Sequence, residues 1–281
     1  MSITRPLAGP GSQPDDEDGD LAFMELPKGM ATFSMPQIPE PEVAAAHIAA
    51  LEKLDAALEA LRAAPSPGTS ITIDLLDLDA DNRAFVDQML GEGEVSIVAG
   101  SHVQAQESVL AGVWRIHVVG SDGALIADAI EVGEFPLSVL AAAQDAGAPT
   151  LRALDRPAFE DDLMNAPSIA AELADKLAAF APGAPPHAIN LSLLPVSDGD
   201  LAYLDARLGQ GAVIILSRGY GNCRISSTGV RNAWWVRYFN SREILILNTI
   251  EICRVPDVAC AAREDLEDSA ERLAEILGVY R

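Results

Sequence analysis

Apolar residues recur every three or four positions between Pro41 and Ala64, at Val43, Ile48, Leu51, Leu54, Leu58 and Leu61. That spacing gathers them on one helix face, and Pro41 suits a first turn, where its missing N–H would go unpaired anyway. Ala64-Pro65-Ser66-Pro67-Gly68 then breaks the helix. A helix from about Asn82 to Leu90 closes on Gly91, a natural left-handed cap. Val113 to Val119 and Ala124 to Ile130 read as a hairpin turning at Gly120 to Gly123. Val213 to Leu216, Ala233 to Phe239 and Glu243 to Leu247 read as three more strands, the last two joined through Asn240-Ser241-Arg242. Gly219 and Gly221 around Tyr220 predict a sharp turn. Two further helical patterns run from Pro167 to Phe180, with Ile169, Leu173, Leu177 and Phe180 on one face, and from Glu264 to Leu277, with Leu266, Leu273, Ile276 and Leu277 apolar.

Much of this pattern occurs twice. AFVDQMLGEGEVSI at 84–97 aligns with AYLDARLGQGAVII at 202–215, and ITIDLL from Ile71 with INLSLL from Ile189, both at an offset of 118. Farther on, Trp114 falls on Trp234, Ser121 on Ser241, Ile130-Glu131 on Ile250-Glu251 and Pro136 on Pro256, at an offset of 120. The second copy has therefore gained two residues in the Arg218-Gly-Tyr-Gly region. Each copy reads strand, helix, strand, a variable loop or strand, a hairpin, then a helix. The prediction is an α+β fold of two tandem degenerate repeats forming a pseudo-two-fold pair. Its parts are a flexible acidic tail over 1–40, an amphipathic helix at 41–64, a first repeat at 69–148, a linking helical segment at 155–182 and a second repeat at 187–281.

Composition narrows the function. The 281 residues, 49% of them hydrophobic, are enough for a sizeable core. No apolar run reaches the roughly 18 to 20 residues of a membrane helix, and the first residues lack the basic start and apolar stretch of a signal peptide. This predicts a cytoplasmic protein with no membrane insertion. Cys223, Cys253 and Cys260 are odd in number and fit no disulfide framework, in keeping with a reducing compartment. The prolines, glycines and Asp15-Asp16-Glu17-Asp18 of the first 40 residues oppose a packed core. A net charge of −23 argues against nucleic acid as a partner, because phosphates need a basic face. The charge is uneven: residues 69–136 set Arg83 and Arg115 against twelve acidic residues, net −10, whereas 187–256 set seven arginines against five, net +2.

No standard enzyme signature is present. G-x-S-x-G, the P-loop and H-E-x-x-H are missing, and Arg218-Gly-Tyr-Gly-Asn lacks the third glycine of a dinucleotide fingerprint. The four histidines, His47, His102, His117 and His187, are scattered. No catalytic residue, metal ligand set or cofactor is expected. Cys223 has two readings: a reactive thiol whose pKa is depressed by Arg218 and Arg224, or a small buried thiol in a strand. With Cys253 and Cys260 it makes three soft ligands, where closed metal sites take four. Trp234 and Trp235 are adjacent on a strand and point to opposite faces. Trp234, aligned with Trp114, belongs to the core. Trp235 shares its face with Arg237, and that pair is either an aromatic–arginine interface anchor or part of a covered sheet face.

The segments LSRGYGNCRI (Leu216 to Ile225), NAWWVRYFNS (Asn232 to Ser241), LILNTIEI (Leu245 to Ile252) and VPDVACAAREDLEDSAERL (Val255 to Leu273) resemble the C-terminal region of the HupH/HyaF hydrogenase expression/formation proteins. The first copy, with Ser-His-Val-Gln-Ala-Gln at 101–106 and the single Trp114, matches only as a degenerate relative. The resemblance implies an accessory factor in nickel–iron hydrogenase maturation, a chaperone or scaffold for the iron–sulfur small subunit or its precursor, working beside other maturation factors. Placed on this chain, its second-copy motif makes Arg218, Tyr220, Asn222, Arg224, Trp235 and Arg237 the candidate partner-binding residues. The alternative is a redox or metal-delivering factor acting through Cys223.

Overall fold

Helix α1 (Pro41–Ala44) and helix α2 (Ile48–Arg62) stand where the helical period is first seen. Three residues interrupt what the spacing predicts as one helix. His47, with φ −118° and ψ 45°, starts α2 and stacks its ring on Phe85 at 4.6 Å. The first half continues with β1 (Ile71–Asp74), α3 (Ala80–Leu90), β2 (Val95–Ala99), β3 (Val103–Glu107), β4 (Val113–Val119), β5 (Leu125–Val132) and α4 (Leu137–Asp145). The second half has α5 (Ala166–Ala178), β6 (His187–Asn190), α6 (Asp198–Leu208), β7 (Gln210–Ser217), β8 (Asn222–Thr228), β9 (Ala233–Phe239), β10 (Leu245–Ile252) and α7 (Arg263–Gly278). This computed structural model describes residues 39–145, 147–154, 162–219 and 221–281. Nearly all of the tail expected over 1–40, and Tyr220, lie outside the described residues.

The ten strands form one antiparallel sheet in the order β1-β5-β4-β3-β2-β7-β8-β9-β10-β6. The fold class is α+β, with the halves meeting where β2 pairs with β7. At that seam Ile97 is the register partner of Ile215, its counterpart at the offset of 118. The strand expected at Glu243–Leu247 begins later and runs farther, because Glu243 occupies the turn with φ 59°. After β5 the chain forms a helix, but after β10 it makes only a 3₁₀ turn at Asp257–Ala259 before α7.

Alternation along the strands divides the side chains between two faces. On one face a single core crosses both halves and contains Ile97, Trp114, Ile215, Cys223, Trp234 and Cys253, with α4 against it. On the other face there are two separate cores. α2, α3 and α7 pack over the β1–β5 end around Leu54, Phe85, Ile130 and Leu273. α5 and α6 pack over the β10–β6 end around Leu173, Leu204, Trp235 and Ile250. The last helix thus covers the opposite half: Leu266 of α7 lies against Gly112, where a Cβ would sit 2.8 Å from its Cγ and where φ is 77°. An ion pair between Arg254 and Glu134, positions 120 apart, also spans the halves. No helix among the described residues is long and apolar enough to cross a membrane.

Candidate functional site

Between the two helical cores the sheet face is left open as a trough that runs over the strands from β4 to β9 in the sheet order, with β2, β7 and β8 at its middle. Val98, Ile214, Arg224 and Ser226 are half-buried there, and Gln104 is exposed. A cleft of about 360 Å³ lies at the second-half end, between α6 and β7–β10, lined among others by Leu201, Asp205, Ile214, Ser226, Trp235 and Arg237. A smaller one of about 270 Å³ lies at the first-half end, lined by Asp87, Glu92, Val98, Gln104, Arg115 and His117. The two meet where Val98 pairs with Ile214 across the seam.

The α6 wall is fixed from its first turn. Ser197 accepts a hydrogen bond from the Asp200 N–H at 3.0 Å, and the Asp200 carboxylate accepts from the Ser197 N–H at 3.1 Å, a reciprocal cap. Asp200 also accepts from the backbone N–H groups of Met164, Asn165 and Ala166, so this one fully buried carboxylate ties the starts of α5 and α6 together.

Arg224, Trp235 and Arg237 do come together on the trough face; Arg224 and Arg237 are cross-strand partners, and Ser226 partners Trp235. Trp235 is only 4% exposed, its Nε1–H donating to Asn248 Oδ1 at 2.5 Å. Of the two readings of this pair, the indole itself follows the covered sheet face, because α5 and α6 pack over this stretch of sheet. What reaches the cleft is Arg237, stacked over the Trp235 ring at 4.6 Å. Among the described residues its guanidinium has no hydrogen-bond acceptor. Burial lowers its pKa below the usual value, and Asp205 opposes that shift. Arg224 is differently placed, stacked over Phe239 at 4.5 Å and ion-paired with Glu243. Asn222 donates to the same Glu243 at 2.8 Å. Arg218 sits past the end of β7, its backbone N–H bonded to Glu94 O at 3.1 Å, and Gly221 takes φ 99° in the turn that follows.

Cys223 is on the opposite face from Arg224 and is 1% exposed. Burial pushes its pKa up to about 12, which agrees with the second of its two readings, a small buried thiol, and not with depression by Arg218 and Arg224. The reason is strand geometry: a neighbour in sequence is on the other side of the sheet. Burial likewise raises Cys253, and raises Cys260 to about 12. Among the described residues no group of three His, Cys, Asp or Glu side chains is arranged to hold a metal.

Sequence reasoning missed the first-half counterpart of this site. There Arg115, 5% exposed, donates to Asp87 at 2.6 Å, to Asp128 at 2.7 Å and to Ala129 O at 2.9 Å, with His117 Nε2 at 3.1 Å. Burial, then the Arg115 charge, lower the His117 pKa. The offset of 120 held the signal: it puts Arg115 on Trp235, His117 on Arg237 and Asp128 on Asn248.

Comparison with known proteins places these residues in context. A family model described as the C-terminal conserved region of the HupH hydrogenase expression protein matches residues 43–156 and again 163–280. The chain is 49% identical to the hydrogenase expression/formation protein HoxQ of Cupriavidus necator, over 96% of this chain and 95% of the relative. It is 45% identical to the hydrogenase expression/formation protein HupH of Rhodobacter capsulatus, over 97% and 96%. It is 36% identical to the hydrogenase-1 operon protein HyaF of Escherichia coli, over 96% and 94%. Among solved structures, the hydrogenase expression protein HupH from Thiobacillus denitrificans matches at a TM-score of 0.38 and 27% identity, covering 41% of this chain and 95% of that one.

Proposed function

The chain belongs to the HupH hydrogenase expression protein family, and from that membership we propose that it is an accessory factor in nickel–iron hydrogenase maturation. In this reading it is a cytoplasmic chaperone or scaffold, not an enzyme. It holds the iron–sulfur small subunit or its precursor before the large subunit joins, alongside other maturation factors. Support for the maturation role is likeness over almost the whole chain to proteins named for hydrogenase expression and formation.

The observation that favours holding over chemistry is Arg237: a guanidinium with no acceptor among the described residues, presented on a buried indole at the mouth of a cleft, is suited to binding. The reading through Cys223 draws no such support, since a thiol with a pKa near 12 is protonated at neutral pH. The partner-binding set is then Arg224, Trp235 and Arg237 at the trough, with Arg218, Tyr220 and Asn222 at the adjoining turn.

The same reading takes the halves as degenerate copies about a pseudo-two-fold axis, 69–148 and 187–281, joined through 155–182. The palindromic strand order, the Ile97–Ile215 pair at the seam and the two matches to one family model support it.

Affinity-tagged protein purified from cells that lack the hydrogenase large subunit is expected to carry small-subunit precursor in near-stoichiometric amount. If mass spectrometry finds the tagged protein free of precursor, or finds it only with the large subunit when that is restored, the proposal fails.

A further inference from the structure

Two charged groups face each other across the second-half cleft with no hydrogen-bond or ion-pair partner among the described residues. Arg237 offers donors from the sheet, and Asp205 offers acceptors from α6. In the first half the corresponding positions do not face a trough unpaired: Asp87, the counterpart of Asp205, holds Arg115 at 2.6 Å. Arg237 also lies beside its cross-strand partner Arg224, whose charge Glu243 offsets, and like charges opposed across strands favour an added acceptor. Between donor and acceptor the lining is apolar, from Leu201, Ile214, Trp235 and the 40%-exposed Leu245.

The occupant that answers to this pattern carries a hydrogen-bond acceptor, a donor and apolar groups within a few ångströms of one another. A peptide group flanked by apolar side chains does so. The length of the trough separates a polypeptide from a small molecule. From β9 to β4 there are six strands and five gaps of about 4.8 Å, or about 24 Å, which an extended chain at about 3.3 Å per residue spans in about seven residues. Asp198 and Asp205 at one end and Asp87 and Glu92 at the other disfavour an acidic occupant.

We propose that the trough binds an extended, apolar, non-acidic polypeptide segment of a partner protein, with a backbone carbonyl at Arg237, a backbone N–H at Asp205 and an apolar side chain in the cleft above Trp235. The inference rests on the maturation reading only in taking that partner to be a maturation client. No part of its test uses hydrogenase.

The probe is a fluorescein-labelled ten-residue peptide of alternating leucine and serine. Its controls are the same peptide with glutamate replacing serine, and leucine amide as an unlabelled competitor. Binding is read by anisotropy on the full chain. The leucine–serine peptide is expected to bind, and the glutamate peptide to bind at least about tenfold more weakly. Ser226→Trp, which fills the floor of the trough, and Arg237→Ala should each weaken the first peptide at least about tenfold. Folding of both variants is checked by circular dichroism and urea midpoint, and Ser226→Leu serves if the tryptophan variant does not fold. The proposal is overturned if folded Ser226→Trp or Ser226→Leu binds as wild type does, if the glutamate peptide binds equally well, or if leucine amide displaces the peptide at comparable concentration, the mark of a small-molecule site. Peptide binding that persists in a protein carrying no precursor in cells would instead sink the maturation reading and leave the trough standing.

Discussion

Arg115 on β4 and Trp235 on β9 stand 120 positions apart in the chain, each third from its end of the strand order, yet one is locked and the other supports a guanidinium with no acceptor among the described residues. Around Arg115 every charge is answered: Asp87 and Asp128 take its donors, and His117 closes the set. In the second half Asn248, 120 positions on from Asp128, is used by the Trp235 indole, which leaves Arg237 stacked but without an acceptor among the described residues. An ion cluster of this kind holds an architecture in place, whereas a preorganised donor without a partner is a surface kept ready for one. The difference turns on three substitutions, all on one sheet face.

The largest contrast is expected from removing the polar group opposite each residue. Asp128→Ala leaves a buried guanidinium short of a carboxylate and should cost about 4 kcal/mol in urea unfolding. The matching Asn248→Ala leaves only an indole N–H unpaired and should cost about 2 kcal/mol. Equal costs would break the comparison.

A pH dependence is expected from one first-half carboxyl that has no titrating counterpart 120 residues on. Glu107 is 8% exposed, and its carboxyl is pushed up to about 7, first by burial and then by Glu94 and Asp265, against one hydrogen bond from Gly112 N–H at 3.2 Å. The position 120 residues on is Ser227, which does not titrate. Between pH 4.5 and about 7 the folded chain keeps a proton that the unfolded chain has released, so stability falls as pH rises through that window. At about 1.4 kcal/mol per pH unit the loss approaches about 3 kcal/mol. Glu107→Gln should flatten this slope, and urea midpoints at pH 5, 6, 7 and 8 would measure it.

Two smaller effects sharpen the contrast. Cys223→Ala should cost about 1 kcal/mol as a small core truncation and leave maturation intact; full loss of maturation in a folded protein would restore the thiol reading. Asn248→Asp rebuilds the first-half chemistry by giving Arg237 a carboxylate on its cross-strand partner. A change in stability under about 1 kcal/mol is expected, together with weaker binding at the trough.

Much of the framework was legible because it rests on local periodicity. The strand from Val113 to Val119 and the helix over Glu264 to Leu277 stand within a residue of where the pattern puts them. Trp234, placed in the core by its alignment with Trp114, is 1% exposed. The trough was not legible, because its floor joins Ser96 to Leu216 and Val98 to Ile214, pairs that only the seam between β2 and β7 creates. Nor does any local signal tell α7 to cross onto the first half, since its apolar face would suit either core. For Cys223 the sequence left a reactive and a buried thiol open, and only the strand decides, since it puts the next residue, Arg224, on the other face of the sheet.

The claim that the second half presents a binding group, while the first supplies architecture, is tested most directly at Arg237. In a strain whose own copy is deleted, Arg237→Ala should restore hydrogenase activity at least about tenfold less well than wild type, at equal protein level and unchanged urea midpoint. Activity restored in full by a stable Arg237→Ala protein would contradict it.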